Sequence, residues 1–140
     1  MIREATIKDS AAIQSICEKD LGHGCDEALV KMRLSKLDKD RECVFVAVRD
    51  DTIAGFIHVE KYEVLYFQTA ANILGLAVAG DFRRIGVGRE LLLAAEAWAK
   101  SKGASFMRVN SGGMRKEAHI FYRNCGYDNE KEQVRFLKRI

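Results

Sequence analysis

A continuous apolar run, Ile73-Leu74-Gly75-Leu76-Ala77-Val78-Ala79, stops at Gly80-Asp81 and gives way, through a turn bearing Arg83, Arg84, Gly86, Gly88 and Arg89, to a stretch of helical period. No other feature of the chain constrains its fold as tightly. The run is too short to cross a bilayer, so its apolar residues need protein on both faces, as a buried strand does. The period then changes. Val87, Leu91, Ala94, Ala95, Trp98 and Ala99 recur at intervals of three and four, which predicts a helix over Gly86 to Lys102 with Gly103 as its stop. Gly75, inside the strand, marks a bulge or a close backbone approach.

The remaining elements follow by the same reasoning. Ile2 to Ile7 reads as a short strand, and Asp9 as the N-cap of a helix whose apolar face is Ala12, Ile13, Ile16 and Cys17, ended by Gly22-His23-Gly24. A second helix is predicted from about Asp26 to Leu37, with Leu29, Val30, Arg33, Leu34 and Leu37 on one face. Cys43 to Val48 is continuous, apolar and β-branched, hence a strand covered on both sides, and Asp50-Asp51 turns it into a hairpin with Ile53 to Glu60. Ser105 to Asn110 reads as a strand, Arg115 to Asn124 as a helix ended by Gly126, and Gln133 to Arg139 as a closing strand with Val134 and Phe136 on one side. Strands alternating with helices in this way give an α/β (α+β) mixed sheet with helices packed on its faces.

Composition narrows the function classes. With 140 residues, 48% hydrophobic and 31% charged, the chain suits one compact domain, 1–140, with a sizeable core. Cys17, Cys25, Cys43 and Cys125 form no C-x-x-C pair and His23, His58 and His119 no ligand spacing, so we expect reduced, buried thiols and no metal. The net charge of +3 is mild and the basic residues are interleaved with acids, which argues against a nucleic-acid partner. A basic closing segment with Lys131, Arg135, Lys138 and Arg139 is diluted by Glu130 and Glu132. The N-terminus lacks the order of a secretory signal and no run is long enough for a membrane span, so the expected location is cytoplasmic, with no membrane partner.

The turn carries the chemistry. The first N–H groups of a helix have no internal partner, and the helix dipole adds about half a positive charge there, so the start of this helix attracts anions. Gly86 and Gly88 lack the Cβ atoms that would hold a diphosphate away from the main chain, while Arg83, Arg84 and Arg89 add charge-assisted contacts. Neither common nucleotide motif fits. A Walker loop needs Gly-Lys-Ser/Thr where Gly88-Arg89-Glu90 stands, and a dinucleotide fingerprint needs a third glycine that Arg89 to Leu91 does not supply.

Arg83-Arg84-Ile85-Gly86-Val87-Gly88 resembles the acetyl-CoA motif Arg/Gln-x-x-Gly-x-Gly/Ala of the GNAT superfamily of N-acetyltransferases. The apolar strand before it, the helix after it and the downstream Ala118-His119-Ile120-Phe121-Tyr122-Arg123-Asn124-Cys125-Gly126-Tyr127 are similar to the family too. The resemblance implies a GNAT-like fold, a mostly antiparallel sheet of about six to seven strands flanked by about four helices. It implies acetyl-CoA as acyl donor, with the main chain of Leu76, Ala77 and Val78 against the pantetheine arm as an added strand would lie. The N–H groups from Arg84 through Ile85, Gly86, Val87 and Gly88 to Arg89 would hold the diphosphate, and a main-chain donor near Leu76 would face the acetyl carbonyl. Asn110 and Ser111 stand where cofactor or acceptor could touch the next strand's end. Arg115 departs from the Asn common in the family before Ala118, which leaves one cofactor contact unassigned.

The same resemblance makes Tyr122 the acid that protonates the departing thiolate. A phenol of pKa about 10 stays protonated at neutral pH, and a positioned acid contributes roughly 10² to 10⁴ in rate. At the level of residues alone, Ala118, Phe121, Tyr122 and Cys125 share a helical face and would also pack as core. An alkyl ammonium of pKa about 10.4 must lose a proton before it attacks, and Glu60 and Glu63 are the nearest carboxylates, with no residue singled out as base. The expected reaction is direct attack by a primary amine, on a small molecule, peptide or protein, in a ternary complex. A non-catalytic acyl-CoA-binding or regulatory module on the same fold is the alternative. The acceptor and the oligomeric state stay open, although a closing strand over Gln133 to Arg139 could pair or swap in a homodimer.

Overall fold

The computed structural model describes residues 1–140. Contacts divide the chain into two compact units, Met1–Val109 and Asn110–Ile140. The first contains a five-stranded sheet in the order β1-β2-β3-β4-β5. Its strands are β1 (Ile2–Glu4), β2 (Glu42–Arg49), β3 (Thr52–Tyr62), β4 (Ala70–Val78) and β5 (Phe106–Val109). Neighbours are antiparallel from β1 to β4, and β5 runs parallel to β4. The β2–β3 hairpin turns on Asp50 and Asp51, both left-handed at φ 50° and 57°. Successive left-handed residues suit a tight hairpin, and Asp tolerates them because its short side chain bonds locally.

Helices cover both faces of this sheet. On one, α1 (Ser10–Ile16) and α2 (Glu27–Ser35) close over a cluster of Ile13, Ile16, Val44, Val46, Phe56 and Ala77. On the other lies α3 (Val87–Ser101), whose Val87, Leu91, Leu92, Ala95 and Ala99 are buried. Leu91 and Leu92 are 0% and 1% exposed, each contributing about 1.5–3 kcal/mol by leaving water. Gly55 permits the contact: a Cβ there would lie 2.7 Å from the Ala77 carbonyl oxygen and 3.2 Å from Leu91 Cδ1. The second unit contains α4 (Lys116–Asn124), closed by Gly126 at φ 90°.

Gly75 does mark a bulge. The β3–β4 register passes from His58↔Gly75 to Val59↔Ile73, which leaves Leu74 unpaired and 49% exposed. Other expectations need correction. Gln133 to Arg139 forms no strand, since residues 127–140 have no regular structure and Val134, Phe136 and Leu137 are 78%, 90% and 70% exposed. The segment alternates as a strand does, but a strand also needs a neighbour to bond, so the sheet has five strands rather than six or seven. Asp9 makes no cap bond to α1. Instead Thr6 caps a short 3₁₀ turn, Ile7–Asp9, and Asp9 accepts from the Thr6 amide and from both ends of the Arg3 guanidinium at 2.9 Å. In α2, Leu29 is 42% exposed and only Val30, Leu34 and the following Leu37 pack inward. In α3, Ala94 and Trp98 are half-buried, and Leu92 takes the deep position they were expected to share. Of the four thiols only Cys43 is fully buried.

Candidate active site

β4 is paired unequally on its two sides. β3 follows it from Ala70 to Val78, whereas β5 pairs only with Ala70 to Ile73. From Leu74 to Val78 the edge away from β3 therefore has no strand partner in the sheet, and its alternate N–H and C=O groups are available to an extended ligand. Leu76, Ala77 and Val78 lie along that edge.

Immediately beyond it, a 3₁₀ turn (Gly80–Phe82) carries the chain to Arg83, which is extended, and Arg84, which is left-handed at φ 64°. Gly86, the N-cap of α3, is left-handed at φ 89° and no side chain caps the helix. The first helical bond runs from the Glu90 amide to the Gly86 carbonyl at 3.0 Å. The amides of Val87, Gly88 and Arg89 are thus left without partners inside the helix, the arrangement that accepts phosphate oxygens. Left-handed residues spaced this closely also turn successive amides toward one concavity. Arg84, Ile85 and Arg89 are exposed. Arg83 is engaged: its guanidinium lies 3.3 Å from Asp20 and 3.4 Å from the Val78 carbonyl oxygen, tying the turn to the segment after α1. Glu90, an acid in the first turn that would repel a diphosphate, is neutralised by an ion pair with Arg49 at the end of β2.

Within the second unit, the Tyr122 ring meets the Phe121 ring edge-on at 5.2 Å and the tilted Tyr127 ring, just beyond α4, at 5.7 Å. Burial raises its phenol above the ordinary tyrosine value, opposed by the charge of Arg115. An acid that keeps its proton suits a thiolate leaving group. The Ser111 hydroxyl is buried without a hydrogen-bond partner, and Asn110 begins the same unit.

The α1/α2 face of the sheet turns polar toward the far end of β3. His58 Nε2 lies 2.7 Å from Glu42 Oε1. Beside them, Glu60 accepts from Asn72 at 3.0 Å, Asn72 accepts from Arg108 at 2.9 Å, and the guanidinium of Arg108 lies over the Tyr62 ring at 4.3 Å. Of the two carboxylates considered as bases, Glu60 thus accepts from Asn72 within a network. Glu63 bonds Arg41 and lies near Lys61, which together hold its carboxyl below the usual range. Sequence reading missed the His58–Glu42 pair. Its signal, a histidine and a glutamate on facing strands, becomes visible only once the β2–β3 register is known.

The Acetyltransferase (GNAT) family model matches residues 11–127. An uncharacterised N-acetyltransferase of Chlorobaculum tepidum is 30% identical over 142 residues, covering 99% of this chain and 81% of that protein. The aminoglycoside N(6')-acetyltransferase type 1 of Stenotrophomonas maltophilia is 27% identical over 139 residues, 96% and 90% of the two chains. A solved aminoglycoside acetyltransferase in complex with the bisubstrate analogue CoA-S-monomethyl-acetylneamine superposes with a TM-score of 0.85 at 16% identity, over 100% of this chain and 98% of that one. A mixed sheet in which an interior strand, β4, loses its partner beside an uncapped helix N-terminus is the frame of an acyl-CoA transferase. The chain belongs to the GNAT family of acetyltransferases. It is an N-acetyltransferase whose acyl donor is acetyl-CoA.

Proposed function

We propose that the chain acetylates a primary amine of a small polycationic acceptor of the aminoglycoside kind, by direct attack in a ternary complex. The donor lies with its pantetheine arm along Leu76, Ala77 and Val78 and its diphosphate at the amides from Arg84 through Ile85, Gly86, Val87 and Gly88 to Arg89, with the side chains of Arg83, Arg84 and Arg89 beside it. Asn110 adds a contact to the donor, and Tyr122 protonates the departing thiolate. One observation carries this reading: an unpaired strand edge leads directly into a helix start with free amides and exposed arginines. The acceptor class rests on the relatives, among them an aminoglycoside N(6')-acetyltransferase and an aminoglycoside acetyltransferase solved with a bisubstrate analogue.

No helix is long and apolar enough to cross a membrane, and we read the protein as cytoplasmic, with residues 1–140 acting as one transferase domain and with no nucleic-acid or membrane partner. The exposed apolar side chains of residues 133–140 favour pairing with a second copy.

The test is thiol release from acetyl-CoA against a panel of amines that includes sisomicin, together with calorimetric titration of coenzyme A. We expect release with the amino sugar and binding heat that disappears in Arg84→Glu. Release with none of the amines would end the acceptor proposal, and absence of heat with the unaltered protein would end the donor-site proposal.

A further inference from the structure

Acetyl transfer to an alkyl ammonium needs a proton acceptor on the acceptor side of the carbonyl, and the two carboxylates nearest in sequence are engaged by Asn72 and by Arg41. The structure points elsewhere. β3 places His58 directly opposite Gly75, in a pair whose Cα atoms lie about 4.5–5.5 Å apart. The register breaks at the next step, so Leu74 leaves the ladder, and from there to Val78 the edge of β4 away from β3 has no strand partner.

Gly75 leaves a notch on this face. A Cβ built there would meet only the rim of the Phe56 ring, at 3.6 and 3.9 Å, although its φ is not in the left-handed range and the backbone does not itself demand glycine. Phe56 walls one side of the notch and His58 follows it on the same face, two residues along the strand. The imidazole is oriented by its neighbour across β2. A carboxylate only accepts, so the 2.7 Å contact with Glu42 makes Nε2 the donor and leaves the Nδ1 lone pair free in the neutral ring. Both side chains are about one-third exposed, at 30% and 29%, and so can exchange protons with solvent. Of the other charged groups on this face, Glu60 accepts from Asn72, which in turn accepts from Arg108, and Arg3 is paired with Asp9.

We propose that His58, positioned by Glu42, is the general base of the transfer. The inference rests on the donor site proposed above. The ammonium of the acceptor gives one proton to His58 Nδ1, directly or through one water. The neutral nitrogen then bonds to the acetyl carbon as the C–S bond breaks. The thiolate takes the phenol proton of Tyr122, and the second proton of the new amide nitrogen restores that phenol. His58 returns its proton to solvent, so one proton leaves per turnover. Glu42 is a positioning residue: it fixes the tautomer and steadies the imidazolium.

The experiment compares the full-length protein with His58→Gln and Glu42→Gln, using acetyl-CoA and sisomicin. At about pH 7, His58→Gln is expected to lower kcat by about 100-fold and Glu42→Gln by about tenfold, with the KM for acetyl-CoA and the heat of coenzyme A binding unchanged. Near pH 9.5 the His58→Gln deficit should shrink to about fivefold, because an amine of pKa about 10.4 increasingly supplies its own free base. A deficit of equal size at both pH values would mark a structural role and overturn the proposal, as would a kcat within about threefold of the unaltered protein. Should His58→Gln fail to fold, an unaltered kcat in folded Glu42→Gln overturns it. If the unaltered protein binds no coenzyme A, the donor-site reading fails, whereas binding and turnover insensitive to His58 remove only this assignment.

Discussion

Asp9 is 6% exposed and carries a full charge, which the interior tolerates because both carboxylate oxygens are hydrogen-bonded. The Arg3 guanidinium meets both carboxylate oxygens and the Thr6 amide adds a third donor. The hydrogen bonds from Arg3, with help from Thr6, hold the Asp9 carboxyl below its usual range against the opposing effect of burial. A depressed carboxyl stabilises the fold fully above its unfolded value of about 3.9, and that contribution fades as pH falls through the lower folded value. Asp9→Asn should therefore cost about 1–3 kcal/mol at neutral pH by leaving Arg3 and the capped turn without their partner. Thermal melts repeated down the acid limb should show a shallower loss of Tm in the variant, and parallel limbs would disprove the coupling. Tyr122 is tested through rate instead. Its phenol is raised chiefly by burial, so it stays protonated through neutral pH. Tyr122→Phe should lower kcat by about 100-fold while leaving the KM for acetyl-CoA unaltered. Unchanged steady-state turnover would return the ring to a packing role.

At the scale of elements, the start of α3 depends on one conformation. Gly86 caps the helix at φ 89°, where a side chain costs about 1–2 kcal/mol. Gly86→Ala should lose that much stability in urea melts and weaken coenzyme A about tenfold by calorimetry, since tilting the cap turns the free amides away. Gly113→Ala is the matched control, for its Cβ would meet nothing within 4 Å and its φ is not left-handed. Equal effects of the two substitutions would refute a special role for Gly86. This strand, turn and helix were legible in the sequence because each is a local pattern, an apolar run, paired glycines and a three-and-four repeat, although within the run only Ile73 and Ala77 are fully buried and Leu74 is exposed. The Gly75 bulge was legible for the same reason. The Arg3–Asp9 pair and the His58–Glu42 pair were not, because each depends on a register or an approach that no window of neighbouring residues encodes. Leu92 was passed over in favour of Ala94 and Trp98 because a helical face on paper does not reveal which side of the stripe meets the sheet. Leu29 failed likewise, at a helix edge that α1 does not reach.

At the scale of the whole molecule, the closing segment is the place where pattern and structure diverge. Val134 and Phe136 alternate with Gln133 and Arg135 as in a half-buried strand, an order that Leu137 and Lys138 break, and the segment lies outside the sheet. Phe136 and Ile140 are 90% and 116% exposed. Scattered apolar residues are ordinary on a surface, but a run of them with strand period is a template for pairing. The sheet of the first unit ends on β5, whose Phe106 is 44% exposed, and an apolar side chain on an edge strand is a point where another chain can pack. A second copy satisfies both needs in a closed two-fold assembly, because the same segment and the same surface occur on each partner. Light scattering at micromolar concentration should therefore give a dimer. Phe136→Glu should convert it to monomer by putting a charge where the strand must be buried, while Lys138→Glu, already a charge at the same period, should disturb it less. A monomeric unaltered protein, or a dimer indifferent to Phe136→Glu, would rule out assembly through this segment.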